Sequence, residues 1–510
     1  MILKRDFFKF NVRPFVFWPP FILLISAVIA SLWIPQQFIL WIGGIQKFIL
    51  TNFSIGFSWL SFAMTILAGV VLLSPLGKYR IGGTEAKPRL SRVSWFAIVL
   101  CTTIAVGILF WGSAEPLSHF LFPPDFKDIL PASPESSKFA LGALFFHWGF
   151  TPYAIYAIPG LVFALLFYSR KHKISLGIML EPMLGDSKGK TWAEVLDMMS
   201  LFALVSGMAA ALGAGILSLS GGILAFFPSL NPTILSACIT ITILITFVIS
   251  SATGIEKGIK NLSLFNLGFF FLIAILFFIL GDGSKIWDSM QSGLQSYGSN
   301  FLDLSFQLTG SGSSWTFDWS TFNFAMWMAW APITALFIGK IAIGRTVREF
   351  LIVNWILPAI FCLSWMGIFG GTTLNFAAAD PELYLSVFEN KGPESIIYQV
   401  FQDQGYFKLF AQLFILGIFL SYVTAADSST EAIASISMKS QGLDSFNADT
   451  NLKVLWGVLI GFLSWVMITF SGIDGVRILS VIGGLPALFF LLLVSVSLII
   501  ILINPKKYLP

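Results

Sequence analysis

The chain has 510 residues, 56% of them apolar and 11% charged, where a soluble domain carries about 25% charge. With a mean hydropathy of +0.84, this excludes a soluble globular protein and describes a polytopic membrane protein. The net charge of +4 is small, so the position of each charge matters more than the total. Cys101, Cys238 and Cys362 all lie in apolar segments, which implies neither a disulfide framework nor a zinc site. His119, His147 and His172 are far apart in sequence and supply no metal-ligand spacing. The N-terminal stretch lacks the short apolar core and cleavage site of a signal peptide.

Taken in order, twelve stretches approach the roughly 20 apolar residues that a bilayer crossing needs. They are 15–35, 54–74, 94–115, 139–168, 193–224, 232–252, 262–280, 318–343, 350–375, 405–435, 453–470 and 477–503. With a cytoplasmic N-terminus, 23 of the 30 Lys and Arg fall on the cytoplasmic side, so the positive-inside rule places both termini there. The expected organisation is an N-terminal segment with two peripheral helices (1–92), five helices (93–280), an external loop (281–317), five more helices (318–503) and a short tail (504–510). The loop is rich in Gly and Ser, and Asp303, Leu304, Phe306 and Leu308 form a candidate short interfacial helix within it.

Spans that line a site carry small residues, breakers or polar groups, because unpaired backbone at membrane depth survives only against protein or water. In 101–116, Thr102 and Thr103 sit mid-span and Glu115-Pro116 ends the run. Glu115 reads either as a solvated interfacial carboxylate or as a gate or anchor near the external mouth. In 146–160, a kink at Pro152 would re-aim Trp148, Tyr153 and Tyr156 toward one site; the alternative is an interfacial aromatic belt. The Gly/Ala run of 200–222 reads as a close-packing face. In 322–350, Trp327 and Trp330 lie one turn apart in mid-segment, next to an expected break at Pro332. In 417–431, Asp427 is a carboxylate deep in an apolar span, read as functional or as a hydrogen-bond hub.

Aromatic faces attract cations that cannot donate hydrogen bonds, at about 0.5–2 kcal/mol per ring. Rings from two spans, with no acid between them, suit a zwitterion with a methylated cationic head. Proline-interrupted spans five apart suit the discontinuous helices and inverted repeats of secondary transporters. A receptor that binds such a solute without moving it is the alternative. An enzyme lacks support, since neither a nucleophile–base pair nor a metal cluster is legible.

Several motifs together resemble the betaine/choline/carnitine transporter (BCCT) family from about residue 75 to 500. They are WMAWAP and GRTVREF within 327–350, FHWGFTPYAIY (146–156), KYRIGGTEAKPRLSRVSWFA (78–97), FWGSAEP (110–116), GIEKGIKNLS (254–263), IFGGT (368–372) and TAADSST (424–430). The resemblance implies an all-α membrane protein of 12 transmembrane helices, a leucine-transporter-type 5+5 inverted repeat preceded by two extra helices. It implies a homotrimer in a bacterial-type inner membrane. It implies import of a quaternary-ammonium or sulfonium zwitterion, of the betaine, choline, carnitine or dimethylsulfoniopropionate class. Na⁺ is the expected coupling ion, with H⁺ coupling or exchange as alternatives.

Carried over by position, the resemblance puts an aromatic box on Trp148, Tyr153, Tyr156 and Trp327, with Trp330 beside the pathway. Tyr153 and Met326 stand where many members have Trp, so rings are fewer here. The implied sodium site draws on Thr424, Cys101, Ile104 and Ser421. Ala425 replaces the serine of the family's Thr-Ser pair, and Leu204 and Met208 replace second-site threonines. Members that sense osmotic stress have long charged tails, so little osmotic activation is expected of this chain.

Overall fold

The computed structural model describes residues 11–104, 107–170, 175–253, 256–439 and 449–509, and among them regular structure is helical apart from two isolated bridges. The first elements are α1 (Pro14–Trp33), α2 (Pro35–Leu73), α3 (Arg92–Ile104) and α4 (Gly107–Leu121). Next come α5 (Pro134–Trp148), α6 (Phe150–Arg170), α7 (Glu181–Phe226), α8 (Pro232–Thr253), α9 (Glu256–Leu280) and α10 (Gly283–Phe306). The remainder holds α11 (Phe322–Lys340), α12 (Val347–Leu351), α13 (Leu357–Ala379), α14 (Pro381–Lys391), α15 (Ile396–Asp403), α16 (Phe407–Ser437) and α17 (Thr450–Ile503).

Local sequence explains many of the helix starts. Proline opens α1, α2, α5, α8 and α14, where its missing N–H costs no hydrogen bond. Ser133 and Ser136 close a reciprocal cap on α5, and Asp282 accepts from the Lys285 N–H at the start of α10.

Nine described helical runs are long and apolar enough to cross a membrane, ten with α3–α4 counted as one span bent by 54°. Sequence reading expects twelve, and the difference lies in α16 and α17. α16 has 31 residues, enough for a crossing, and its apolar run Phe407–Val423 ends where the described side chains end. α17 counts once, yet 54 residues extend about 80 Å at 1.5 Å each. Gly472, with φ +53, divides it into two helices.

Burial separates inner from outer spans. The apolar windows of Pro134–Ser169, Trp192–Phe226 and Thr316–Lys340 are 94%, 83% and 83% buried, against 33% for α1 and 28% for Pro232–Ile249. α5–α6, α7 and α11 therefore form the centre. α11 packs against α6, α7 and α17, and α4 packs against α5 and α13.

Four sequence expectations change. The 281–317 segment is mostly the 24-residue helix α10 rather than a connector. It seats Met290 on Gly367 of α13 and Gly293 on Leu141 of α5, so glycine on either side allows the close approach. The 146–160 break is at Gly149 (φ −93, ψ −133), between α5 and α6. Pro152 lies in the first turn of α6, where a proline needs no kink. α4 continues through Pro116 to Leu121, and α11 continues through Pro332 to Lys340.

The GRTVREF stretch builds a clamp at one end of the bundle. Arg345 donates to the Leu90 carbonyl at 2.6 Å and lies 4.9 Å over the Trp95 ring. Arg348 donates to the Leu72 carbonyl at 3.1 Å, and Arg92 pairs with Glu349 at 2.8 Å. Gly344, with φ +75, lies against Lys87 and Pro88, so a side chain there would run into their backbone.

Candidate functional site

Trp327 of α11 is the hub of an aromatic group. Its ring centroid lies 5.5 Å from that of Trp148, 5.2 Å from Tyr153 and 4.8 Å from Tyr156. The first two contacts are edge-on, at 70° and 67°, the arrangement that ring quadrupoles favour. The Gly149 break places Trp148 at the end of α5 and both tyrosines in the first two turns of α6.

A cavity of about 710 Å³, including the space at its mouth, opens on this group. Trp148, Tyr156, Trp327, Trp330 and Met326 line it, and Thr102, Thr103 and Tyr422 add hydroxyls. Tyr153 does not reach the cavity; it is fully buried and backs Trp327. Among the described lining residues there is no carboxylate.

The polar atoms of the wall have distinct states. The Trp330 indole N–H donates to the Gly207 carbonyl at 3.1 Å, which fixes that ring. The Trp327 indole N–H is buried and finds no acceptor among the described residues. The Tyr422 hydroxyl oxygen accepts from the Gly215 N–H at 3.2 Å, leaving its own hydrogen to donate. Thr102 and Thr103 donate to carbonyls four residues back, at 2.8 and 2.9 Å, and keep acceptor capacity.

Behind Trp148 lies a buried polar cluster. The Trp148 N–H donates to Glu115 Oε2 at 2.8 Å, and His147 Nδ1 donates to Glu115 Oε1 at 2.6 Å. His119 Nε2 lies 3.5 Å from the same Oε1. Glu115 is 1% exposed, and both histidines are 0% exposed. Glu115 is thus an anchor inside α4, not a solvated carboxylate at a helix end.

A family model for the BCCT, betaine/carnitine/choline family transporter, matches residues 15–507. The chain belongs to this family. The BCCT chain is 32% identical to the ectoine/hydroxyectoine transporter of Virgibacillus pantothenticus, covering 94% of this chain and 95% of that one. It is 28% identical to the glycine betaine transporter OpuD of Bacillus subtilis, covering 84% and 82%. It is 29% identical to the betaine/ectoine transporter LcoP of Corynebacterium glutamicum, covering 87% and 72%. It is accordingly a membrane transporter.

The structure of this BCCT transporter brings Trp148, Tyr156, Trp327, Trp330 and Met326 to one cavity and leaves Tyr153 in the layer behind it. The sodium candidates are less complete. Ser421 has a buried hydroxyl with no partner among the described residues. The Cys101 thiol is spent on the Ser263 carbonyl at 3.3 Å, so only the Cys101 carbonyl is left to offer. The side chains of Ile104, Thr424 and Asp427 lie outside the described residues. Leu204 is buried, and Met208 lines the cavity; neither offers an oxygen from its side chain.

Sequence reading missed Tyr422 and the convergence of His119 and His147 on Glu115. Tyr422 stood within the polar stretch 417–431, so a signal for it existed. Glu115 and His119 are one helical turn apart, which gave half of the cluster. His147 joins it only through the packing of α4 on α5.

Proposed function

We propose that this transporter imports a zwitterionic compatible solute, of the betaine or ectoine class, through the cavity at Trp148, Tyr156 and Trp327. The observation that carries this reading is a cavity walled by several rings, with no described carboxylate in its lining. Ring faces reward a diffuse or methylated cation, whereas a lining carboxylate would equally reward Na⁺ or a lysine. The unpaired Trp327 N–H and the Tyr422 hydroxyl supply donors for the solute's carboxylate. Met326, in place of a further ring, widens one side and offers a soft sulfur to a bulkier or sulfonium head. The names of the relatives favour betaines and ectoine ahead of carnitine and choline.

The expected mechanism is alternating access within a 5+5 helix arrangement, with both termini cytoplasmic and three copies assembled. The interruption between α3 and α4 supports the first element, since broken helices at a binding site are the transporters' usual device. Na⁺ is the proposed coupling ion, supported by the Ser421 hydroxyl, unpartnered among the described residues, and carbonyls near the end of α3. With no side-chain oxygen at Leu204 and Met208, one sodium site rather than two is proposed.

The test is uptake of labelled glycine betaine, ectoine, choline and carnitine into proteoliposomes under an imposed Na⁺ gradient. Saturable uptake that collapses without the gradient supports the proposal. Binding without counterflow would instead favour a receptor.

A further inference from the structure

The Glu115–His119–His147 cluster holds three buried titratable groups that do not themselves line the cavity. Their partners fix which atoms donate and which accept. An indole N–H can only donate, and Trp315 Nε1 lies 3.1 Å from His119 Nδ1. That nitrogen is therefore the acceptor, and His119 carries its hydrogen on Nε2. This Nε2 has no hydrogen-bond partner among the described residues and faces Glu115 Oε1 from 3.5 Å. A second proton on His119 would have to enter at Nδ1, against the indole N–H.

Glu115 is equally committed. One oxygen accepts from Trp148 Nε1, so a hydroxyl there would face a donor, and the other faces His147 Nδ1, so a hydroxyl there would push the ring's hydrogen onto Nε2. His147 Nε2 differs. Its partner, 2.8 Å away, is the Ser320 hydroxyl, which donates to a neutral ring and accepts from a charged one. One nitrogen in the cluster can thus take a proton without losing a hydrogen bond. The same assignments disfavour a metal. One ligand atom from each of the three residues falls within 4.8 Å of the others, but His147 Nδ1 and His119 Nε2 both carry hydrogens there.

We propose that His147 Nε2 is a proton-binding site, and that a proton there opposes the binding of a cationic solute against Trp148. The inference rests on the cavity being the solute site. With His147 neutral, the cluster holds the full negative charge of Glu115, in contact with the Trp148 indole. A proton on His147 cancels that charge, and the ring loses part of its attraction for a cation. Linkage is reciprocal, so solute binding expels the proton. A site where proton and solute oppose one another does not drive H⁺ symport.

The other charges around His147 are accounted for. From α17, the Arg477 guanidinium lies 4.9 Å over the Trp319 ring, which itself lies 4.5 Å from the His119 ring. Arg477 also pairs with Asp474 at 3.2 Å, and Asp318 adjoins Trp319 in sequence. α13 brings the buried Cys362 thiol beside Tyr153. α10 brings Asp303, which is paired with Lys127. None of these makes a described hydrogen bond to His147.

The chain has three histidines, so ¹⁵N-histidine labelling of the full-length protein gives an assignable spectrum. The protein is titrated between about pH 5 and 8 without solute, and then with glycine betaine and ectoine, reading affinity by tryptophan fluorescence. Any proton the cluster takes up is expected on His147 Nε2, while His119 keeps an unprotonated Nδ1. Affinity is expected to fall about fivefold or more over the same interval. His147→Gln should bind with pH-independent affinity, and His119→Gln should keep the fall. A His147 that stays neutral throughout, or an equal fall of affinity in His147→Gln, overturns the proposal. Absence of saturable binding at every pH overturns the solute reading and with it the antagonism, while the solute-free titration still decides the proton site.

Discussion

Trp148 donates its indole N–H to Glu115 at 2.8 Å, so a ring on the cavity wall is held from behind by a buried carboxylate. Glu115→Gln keeps the shape but turns one oxygen into an NH₂ group. That group would meet either the Trp148 N–H, a donor, or His147 Nδ1, which must then give up its hydrogen to accept, and in both cases the charge that held Trp148 is gone. A hydrogen bond to a charged group is worth about 1.5–3 kcal/mol, and each 1.4 kcal/mol is tenfold in affinity. Affinity for glycine betaine or ectoine should fall about tenfold or more in a fluorescence titration. Unchanged affinity would show that the ring holds its place without Glu115.

Gly107 sets the other side of the same ring. A Cβ there would lie 2.5 Å from Trp148 Cη2 and 2.8 Å from Cζ3, well inside van der Waals contact. Gly107→Ala should displace the ring and weaken solute binding by about tenfold or more. Trp148→Phe removes the clashing atoms, so Gly107→Ala with Trp148→Phe should cost less than the two separate losses combined. A double-mutant cycle on affinity measures this directly. Strict additivity would place the effect of Gly107→Ala elsewhere.

Much of this architecture is legible in the sequence, for identifiable reasons. Apolar length marks the spans, because a bilayer demands it. Trp327 and Trp330 stand out because paired tryptophans in mid-span do not suit a lipid interface. Tyr153 is misjudged because its position in the motif does not say which side of Trp327 it takes. That depends on the turn at Gly149, and the proline three residues later draws attention away from it. α10 is hidden by its glycines and serines, which read as a loop until Gly293 and Met290 are seen seating it between α5 and α13. His147 meets Glu115 only through packing between helices, which no local pattern encodes.

The clamp formed by GRTVREF separates costly from cheap substitutions. Gly344 has φ +75, and its side-chain position is filled by the Lys87–Pro88 backbone. Gly344→Ala should therefore destabilise the protein by about 1–3 kcal/mol. Arg92 is 79% exposed at its ion pair with Glu349, and Arg92→Ala should cost no more than about 0.5 kcal/mol. Apparent melting temperatures at one scan rate should rank the two variants in that order. The reverse ranking would contradict the clamp.

Stability should also depend on pH through Glu394, between α14 and α15. Loss of solvent there pushes its carboxyl from an ordinary 4.5 up to about 7. The folded state therefore holds a proton that the unfolded state has released. That contribution is fully present below about pH 4.5 and is lost as pH rises through about 7. Glu394→Gln removes the titration, so its melting temperature should fall less between about pH 5 and 7 than that of the unaltered protein. Parallel curves for the two proteins would count against it.

The most direct test of the central claim is solute binding to the unaltered protein beside Trp327→Phe and Trp327→Ala. Each variant's melting curve must accompany the titration, because emptying the space between Trp148, Tyr153 and Tyr156 costs about 3–5 kcal/mol of stability. Trp327→Phe keeps a ring and should bind glycine betaine or ectoine measurably, at reduced affinity. Trp327→Ala, where still folded, should lose binding by at least about a hundredfold. Wild-type affinity in a folded Trp327→Ala would contradict an aromatic cation site at this cavity.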